Sequence, residues 1–116
     1  MPRLIDETTG RLVAARVERA TSFASRLIGL LGRRSLDDGE GLWLEPCDSV
    51  HTFFMRFSID VAFVDAHGLV VRRIDRLRPW RATRIHARAR VCVELPAGAL
   101  AAAGVETGHR LVLAEG

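Results

Sequence analysis

Lysine, tyrosine, asparagine and glutamine are missing from this 116-residue chain. Every cation other than histidine is therefore an arginine, a skew that reads as genome composition rather than as a demand for guanidinium groups. Cysteine is scarce. Cys47 and Cys92 stand forty-five positions apart with no CxxC pair, which leaves no local signature for a zinc site or a dithiol redox centre. No uninterrupted apolar run reaches the eighteen or so residues that a membrane-spanning helix needs. The opening M-P-R-L-I-D-E-T-T-G carries acids and no apolar stretch, unlike a signal peptide. The expectation is a soluble, cytoplasmic protein with both thiols reduced. There is also no G-x-S-x-G elbow, P-loop, G-x-G-x-x-G or H-E-x-x-H, and Asp37, Asp38 and Glu40 read as a solvated loop rather than as paired glycosidase carboxylates. No metal and no cofactor is expected.

What the chain does have is 48% apolar residues, enough for the core of one domain and too little length for two. Residues 1–11 read as an N-terminal extension and residues 12–116 as a single β-rich domain. Leu12 to Glu18 alternates like a strand. Thr21 or Ser22 can then cap a helix in which Phe23, Leu27 and Leu30 recur at helical spacing before Gly32 ends it. Leu42 to Leu44 starts a strand that Pro46 interrupts. Asp65 to Gly68, D-A-H-G, reads as a hairpin turn into a strand from Leu69 to Ile74. Arg88 to Leu95 alternates again, and Pro96 opens an alanine-rich helix over 97–103 that Gly104 closes. Leu111 to Leu113 is the last strand. The fold class is mainly β, α+β by content: a single-domain β-sandwich or open barrel with two short flanking helices.

The densest chemistry lies in E-P-C-D-S-V-H-T-F-F-M-R-F-S-I-D-V-A-F-V, Glu45 to Val64. Cys47, His51, Thr52, Arg56 and Asp60 fall within fourteen positions of an otherwise apolar run, and polar groups resist burial unless paired, so the set is either a satisfied polar core or a site. From His51 to Phe63 the odd positions are His51, Phe53, Met55, Phe57, Ile59, Val61 and Phe63, the two-residue period of a half-buried strand with a bend near 57–60. His51 is then a core histidine, or an acid, base or ligand. Arg56 and Asp60 either form an ion pair across the bend or aim a guanidinium fork at a carboxylate or phosphate. Phe54 shares parity with the polar face, where an exposed ring suits a ligand pocket or partner surface. Trp80, after Pro79, caps the open end of the sheet or touches a ligand. The Cys47 thiol is an inert buried group, a metal or redox ligand, or a nucleophile, but four residues of strand place it roughly 13 Å from His51.

Charge is uneven. Arg72 to Arg90 carries eight arginines against Asp75, a local +7, while the remaining residues sum to −4. This is a solvated strand surface or an anion-binding face; the latter gives weak, salt-sensitive polyanion binding without sequence preference.

The core G-L-W-L-E-P-C-D-S-V-H-T-F-F-M-R-F-S-I-D-V-A-F-V-D, followed by R-L-R-P-W, V-C-V-E-L-P-A-G-A and G-V-E-T-G-H-R-L and preceded by R-L-I-G-L-L-G-R, resembles the bacterial and archaeal family called Domain of Unknown Function 192. The likeness runs from about Val13 onward in the family's order. It implies a mainly β domain with short helices laid against it, and no assigned activity. The chain departs from many relatives at Ser58, where they carry proline, and at His109, where they carry aspartate. Some relatives also carry an export signal absent here.

Three functional classes remain open. The leading one is a small binding or accessory module that recognises an anionic small molecule or a protein segment in a cleft near His51, Thr52, Phe54, Arg56, Asp60 and Trp80. The second is a hydrolase or transferase using Cys47 or His51. The third is an assembly accessory that joins partners through an exposed sheet edge.

Overall fold

The computed structural model describes residues 1–21 and 35–115. These form strands β1 (Arg3–Asp6), β2 (Arg11–Ala14), β3 (Arg16–Ala20), β4 (Glu40–Leu44), β5 (Ile59–Val64), β6 (Val70–Leu77) and β7 (Val91–Pro96), helix α1 (Ala99–Ala103) and strand β8 (Leu111–Ala114). A three-stranded sheet has the order β2-β1-β8, and a five-stranded sheet the order β3-β4-β7-β5-β6. The protein is a mainly β domain of two sheets with no closed barrel, as the expected sandwich or open barrel requires. The helix expected over Phe23 to Leu31 lies outside the described residues, and α1 is the one helix among those described.

Burial explains the sheet order. β5 (I-D-V-A-F-V) and β7 (V-C-V-E-L-P) are buried at every position, the pattern of strands covered on both faces, and they are adjacent inside the larger sheet. One apolar cluster, with Leu4, Val93, Leu95, Leu100 and Leu111, fills the space between the two sheets and α1. A second, with Leu42, Leu44, Met55, Val61, Phe63 and Cys92, covers the opposite face of the five-stranded sheet.

Three expectations are revised. Residues 1–11 are no appendage, because β1 is the middle strand of its sheet, with β2 and β8 on either side. The expected strand Leu12 to Glu18 breaks at Ala15 and feeds both sheets; the backbone N–H groups of Ala15 and Arg16 both donate to the Gly39 carbonyl, at 2.8 and 2.9 Å. The long strand expected over His51 to Phe63 exists only from Ile59 onward, and His51 to Arg56 is turn and loop with a single bridge, His51 to Ala82.

Other local signals hold. Asp65 Oδ1 accepts from the backbone N–H groups of His67 and Leu69 at 2.8 and 3.0 Å, closing the turn where Gly68 adopts φ 84°. Gly104 ends α1 in the left-handed region, with Val105 N–H returning to Leu100 O and Gly104 N–H to Ala101 O, the paired bonds of a glycine-terminated helix.

Candidate functional site

Thr52 determines how the polar segment folds. It is fully buried, its hydroxyl donates to Arg78 O at 2.6 Å and accepts from Arg81 N–H at 3.0 Å. Its backbone N–H donates to Arg81 O, and its carbonyl accepts from Trp80 and Met55 N–H. A strand neighbour could not supply this many contacts from one direction, so the segment curls around Thr52 and docks on residues 78–81. Met55 turns inward to 5% exposure while Phe53, Phe54 and Trp80 stay 39%, 70% and 55% exposed.

The outward side chains meet. His51 stacks on Phe53 with ring centroids 5.0 Å apart, Phe53 lies 6.2 Å from Trp80, and Phe54 lies 4.6 Å from Trp80. Both Phe54 (φ 67°) and Trp80 (φ 64°) occupy the left-handed region, a conformation that costs a residue with a β-carbon about 1 kcal/mol or more unless its surroundings impose it. Here the Thr52 bonds impose it. The exposed Arg56, Arg78, Arg81 and Arg84 belong to the same two segments, and the Arg81 guanidinium reaches the Pro79 and Trp80 carbonyls at 3.5 and 3.4 Å. The fold gives Trp80 two aromatic neighbours, Phe53 and Phe54, from a segment some twenty-five residues upstream.

Asp60 is elsewhere. Fully buried on β5, its carboxylate accepts from Arg76 N–H at 2.9 Å and from Leu100 N–H in the first turn of α1 at 3.0 Å. It ties β6 and α1 to β5, and Arg56, exposed, does not pair with it. The arrangement of His51, Arg56 and Asp60 around one cleft is therefore not realised, and Asp60 is a structural acid. His51 is also not the core histidine of the alternation: it is exposed, and its Nδ1 accepts from Phe53 N–H at 3.3 Å.

The thiols form a second cluster. Cys47 is half-buried and Cys92 fully buried. The interaction with Cys47 pushes the Cys92 thiol far up, with burial adding to the effect, and the Cys47 Sγ–H donates to the Ser49 carbonyl at 3.1 Å. Glu94, two positions beyond Cys92 on β7, is 5% exposed; burial, with the neighbouring Cys47 adding to it, pushes its carboxyl up to about 8. Sequence reasoning passed over Glu94, whose signal was a lone acid inside V-C-V-E-L-P. His86 packs on Phe63 at 4.2 Å between centroids, and its buried Nε2 has no hydrogen-bond partner among the described residues. Its pKa is lowered by burial and by Arg72 and Arg84. No three His, Cys, Asp or Glu side chains converge as a metal shell among the described residues.

A separate cleft of about 480 Å³ opens between β4, β7 and β8, walled by Trp43, Pro46, Arg90 and Leu111 among others. Trp43 Nε1–H donates to Glu45 at 3.0 Å on its wall. None of the expected ligand-binding residues lines it. Beyond it, His109 Nδ1 contacts the fully buried Asp6 carboxylate at 2.8 Å, a tie between β1 and the turn before β8.

The family model DUF192, described as an uncharacterized ACR, matches residues 4–113 of this chain. The chain belongs to the DUF192 family. Among its relatives, a UPF0127 protein of Pyrococcus furiosus is 33% identical over 93% of this chain and 95% of its own length. One from Thermococcus sibiricus is 32% identical over 93% of this chain and 72% of its own. Crystal structures share the fold. A protein of unknown function from Novosphingobium aromaticivorans superposes with a TM-score of 0.84 at 21% identity, covering 97% of this chain and 84% of that one. A putative transcription regulator from Sinorhizobium meliloti gives 0.78 at 24%, covering 97% and 91%. No helix among the described residues of this DUF192 protein is long and apolar enough to cross a membrane.

Proposed function

We propose that this DUF192 protein is a binding module whose aromatic and arginine face, carried by residues 51–57 and 78–85, receives an acidic segment of a partner protein. The observation that supports it is the exposed contact of Phe53, Phe54 and Trp80, with Phe54 and Trp80 held in the left-handed region. A fold does not need to impose that conformation on two solvent-facing rings to build its core. Tryptophan, other aromatics and arginine are the residue types that concentrate binding energy at protein interfaces, and the surrounding guanidiniums favour carboxylates.

The name of the Sinorhizobium protein raises nucleic acid as another occupant. The rings favour protein, because they pack on one another at tilts of 35° and 57° and make one continuous apolar patch rather than separated platforms for successive bases. A labelled peptide alternating glutamate with leucine and phenylalanine, titrated beside an oligothymidylate of equal charge, tests the reading. The peptide is expected to bind, and Trp80→Ala to weaken it about tenfold, the scale of a modest interface hot spot. Preference for the oligothymidylate would transfer the face to nucleic acid, and no binding of either would remove it.

A further inference from the structure

Strand register brings together two cysteines that the sequence keeps forty-five positions apart. β4 and β7 run antiparallel with Leu44 opposite Cys92. Past the end of β4 the chain turns through Pro46, and Cys47 N–H donates to the carbonyl of Arg90, just before β7, at 2.9 Å. This bond holds the Cys47 backbone two residues from Cys92. Cys92 belongs to the apolar cluster on one face of the five-stranded sheet and Cys47 packs against the same cluster; Cys47 is also the main influence that pushes the Cys92 thiol up. They differ in access: Cys47 is half-buried and Cys92 is closed to solvent. A reachable thiol beside a shielded one is the arrangement of an attacked and a resolving cysteine.

We propose that Cys47 and Cys92 are an oxidation site that closes to a reversible intramolecular disulfide when the protein meets a peroxide. In the first step the Cys47 sulfur attacks one peroxide oxygen, the O–O bond breaks, and Cys47 becomes a sulfenic acid with release of one water. In the second, the Cys92 sulfur attacks the Cys47 sulfur, the S–O bond breaks, and the Cys92 proton leaves with the hydroxyl as a second water. The two sulfurs together lose two electrons and the peroxide gains them. A dithiol returns the pair by exchange through a mixed disulfide. The bond would clamp the segment that leads into the aromatic face, since Asp48, Val50 and Thr52 are already bonded to His86, Thr83 and Arg81. The site stands independently of what that face binds.

The test uses the intact, fully reduced protein exposed to equimolar hydrogen peroxide, then unfolded in N-ethylmaleimide. The expected product has lost the mass of two hydrogens, takes up no maleimide, yields one peptide pair joined through Cys47 and Cys92, and recovers both thiols in dithiothreitol. Cys92→Ser, and Cys92→Ala beside it, should instead stop at one added oxygen on Cys47 that dimedone traps. Two maleimides on the treated wild-type protein, a disulfide joining two chains, or sulfinic acid forming at Cys47 as readily with Cys92 as without it would each overturn the proposal.

Discussion

Glu94 is a carboxyl whose ionisation the fold opposes by burial. It lies on β7 between Leu42 of β4 and Val61 of β5, and burial raises its carboxyl from 4.5 to about 8. Between those two values the unfolded chain has released the proton and the folded chain keeps it. The folded state therefore binds more protons, and stability is present in full below about 4.5 and is lost as pH rises toward 8. The slope is about 1.4 kcal/mol per pH unit while both conditions hold. His86 acts oppositely, because its lowered pKa makes its contribution grow as pH rises toward the usual histidine value. Comparing wild type with Glu94→Gln cancels the histidine. Urea unfolding at pH 5, 6.5 and 8 should show the variant gaining on the wild type at each step, by a few kcal/mol in total. A difference that stays constant with pH would mean that the folded carboxyl titrates normally.

At the scale of elements, the two segments that meet at Thr52 carry the exposed rings. Thr52→Val keeps the shape and removes the hydroxyl that serves Arg78 O and Arg81 N–H; a loss of about 1–3 kcal/mol in unfolding free energy is expected for the buried groups left unpaired. Thr52→Ser should recover most of it, and recovery absent from Ser would place the cost in packing. Asp60→Ala, tested the same way, leaves Arg76 and Leu100 N–H without their acceptor, and a loss of similar size or larger is expected. These elements also mark what could be read in advance. The turn at Asp65 to Gly68, the glycine stop at Gly104 and the strand within Arg88 to Leu95 were legible because turn chemistry and apolar runs are local. The His51 to Phe57 loop was not: its alternation is genuine, but Thr52 spends its backbone and hydroxyl on a segment that sequence spacing does not connect to it. For the same reason the exposure of Phe54 was legible from its parity, while the exposure of His51, the contacts among the rings, and the departure of Asp60 to α1 belong to the tertiary fold.

For the whole molecule, the question is whether charge is placed or merely present. The +7 of residues 72–90 is opposed by −4 elsewhere. Within it Arg73 is committed, to the exposed Asp75 at 2.7 Å and to the Val105 carbonyl. Arg78, Arg81 and Arg84 have no ion pair among the described residues and are exposed. A net charge of +3 is too small for strong steering of an acidic partner by the molecule as a whole. A placed field would act through the face. Arg84→Glu and Arg3→Glu, the second on β1 of the other sheet, change net charge equally and so separate the two. With the acidic peptide in stopped flow at about 0.01 M salt, where the screening length is about 30 Å, Arg84→Glu should slow association several-fold more than Arg3→Glu. Near 0.15 M, where screening acts within about 8 Å, that gap should shrink for contributions that act at a distance. Direct contact is read separately, as faster dissociation of the Arg84→Glu complex. Equal slowing by the two substitutions at low salt would mean that the peptide senses net charge alone, and the arginines beside Trp80 would then be a solvated surface.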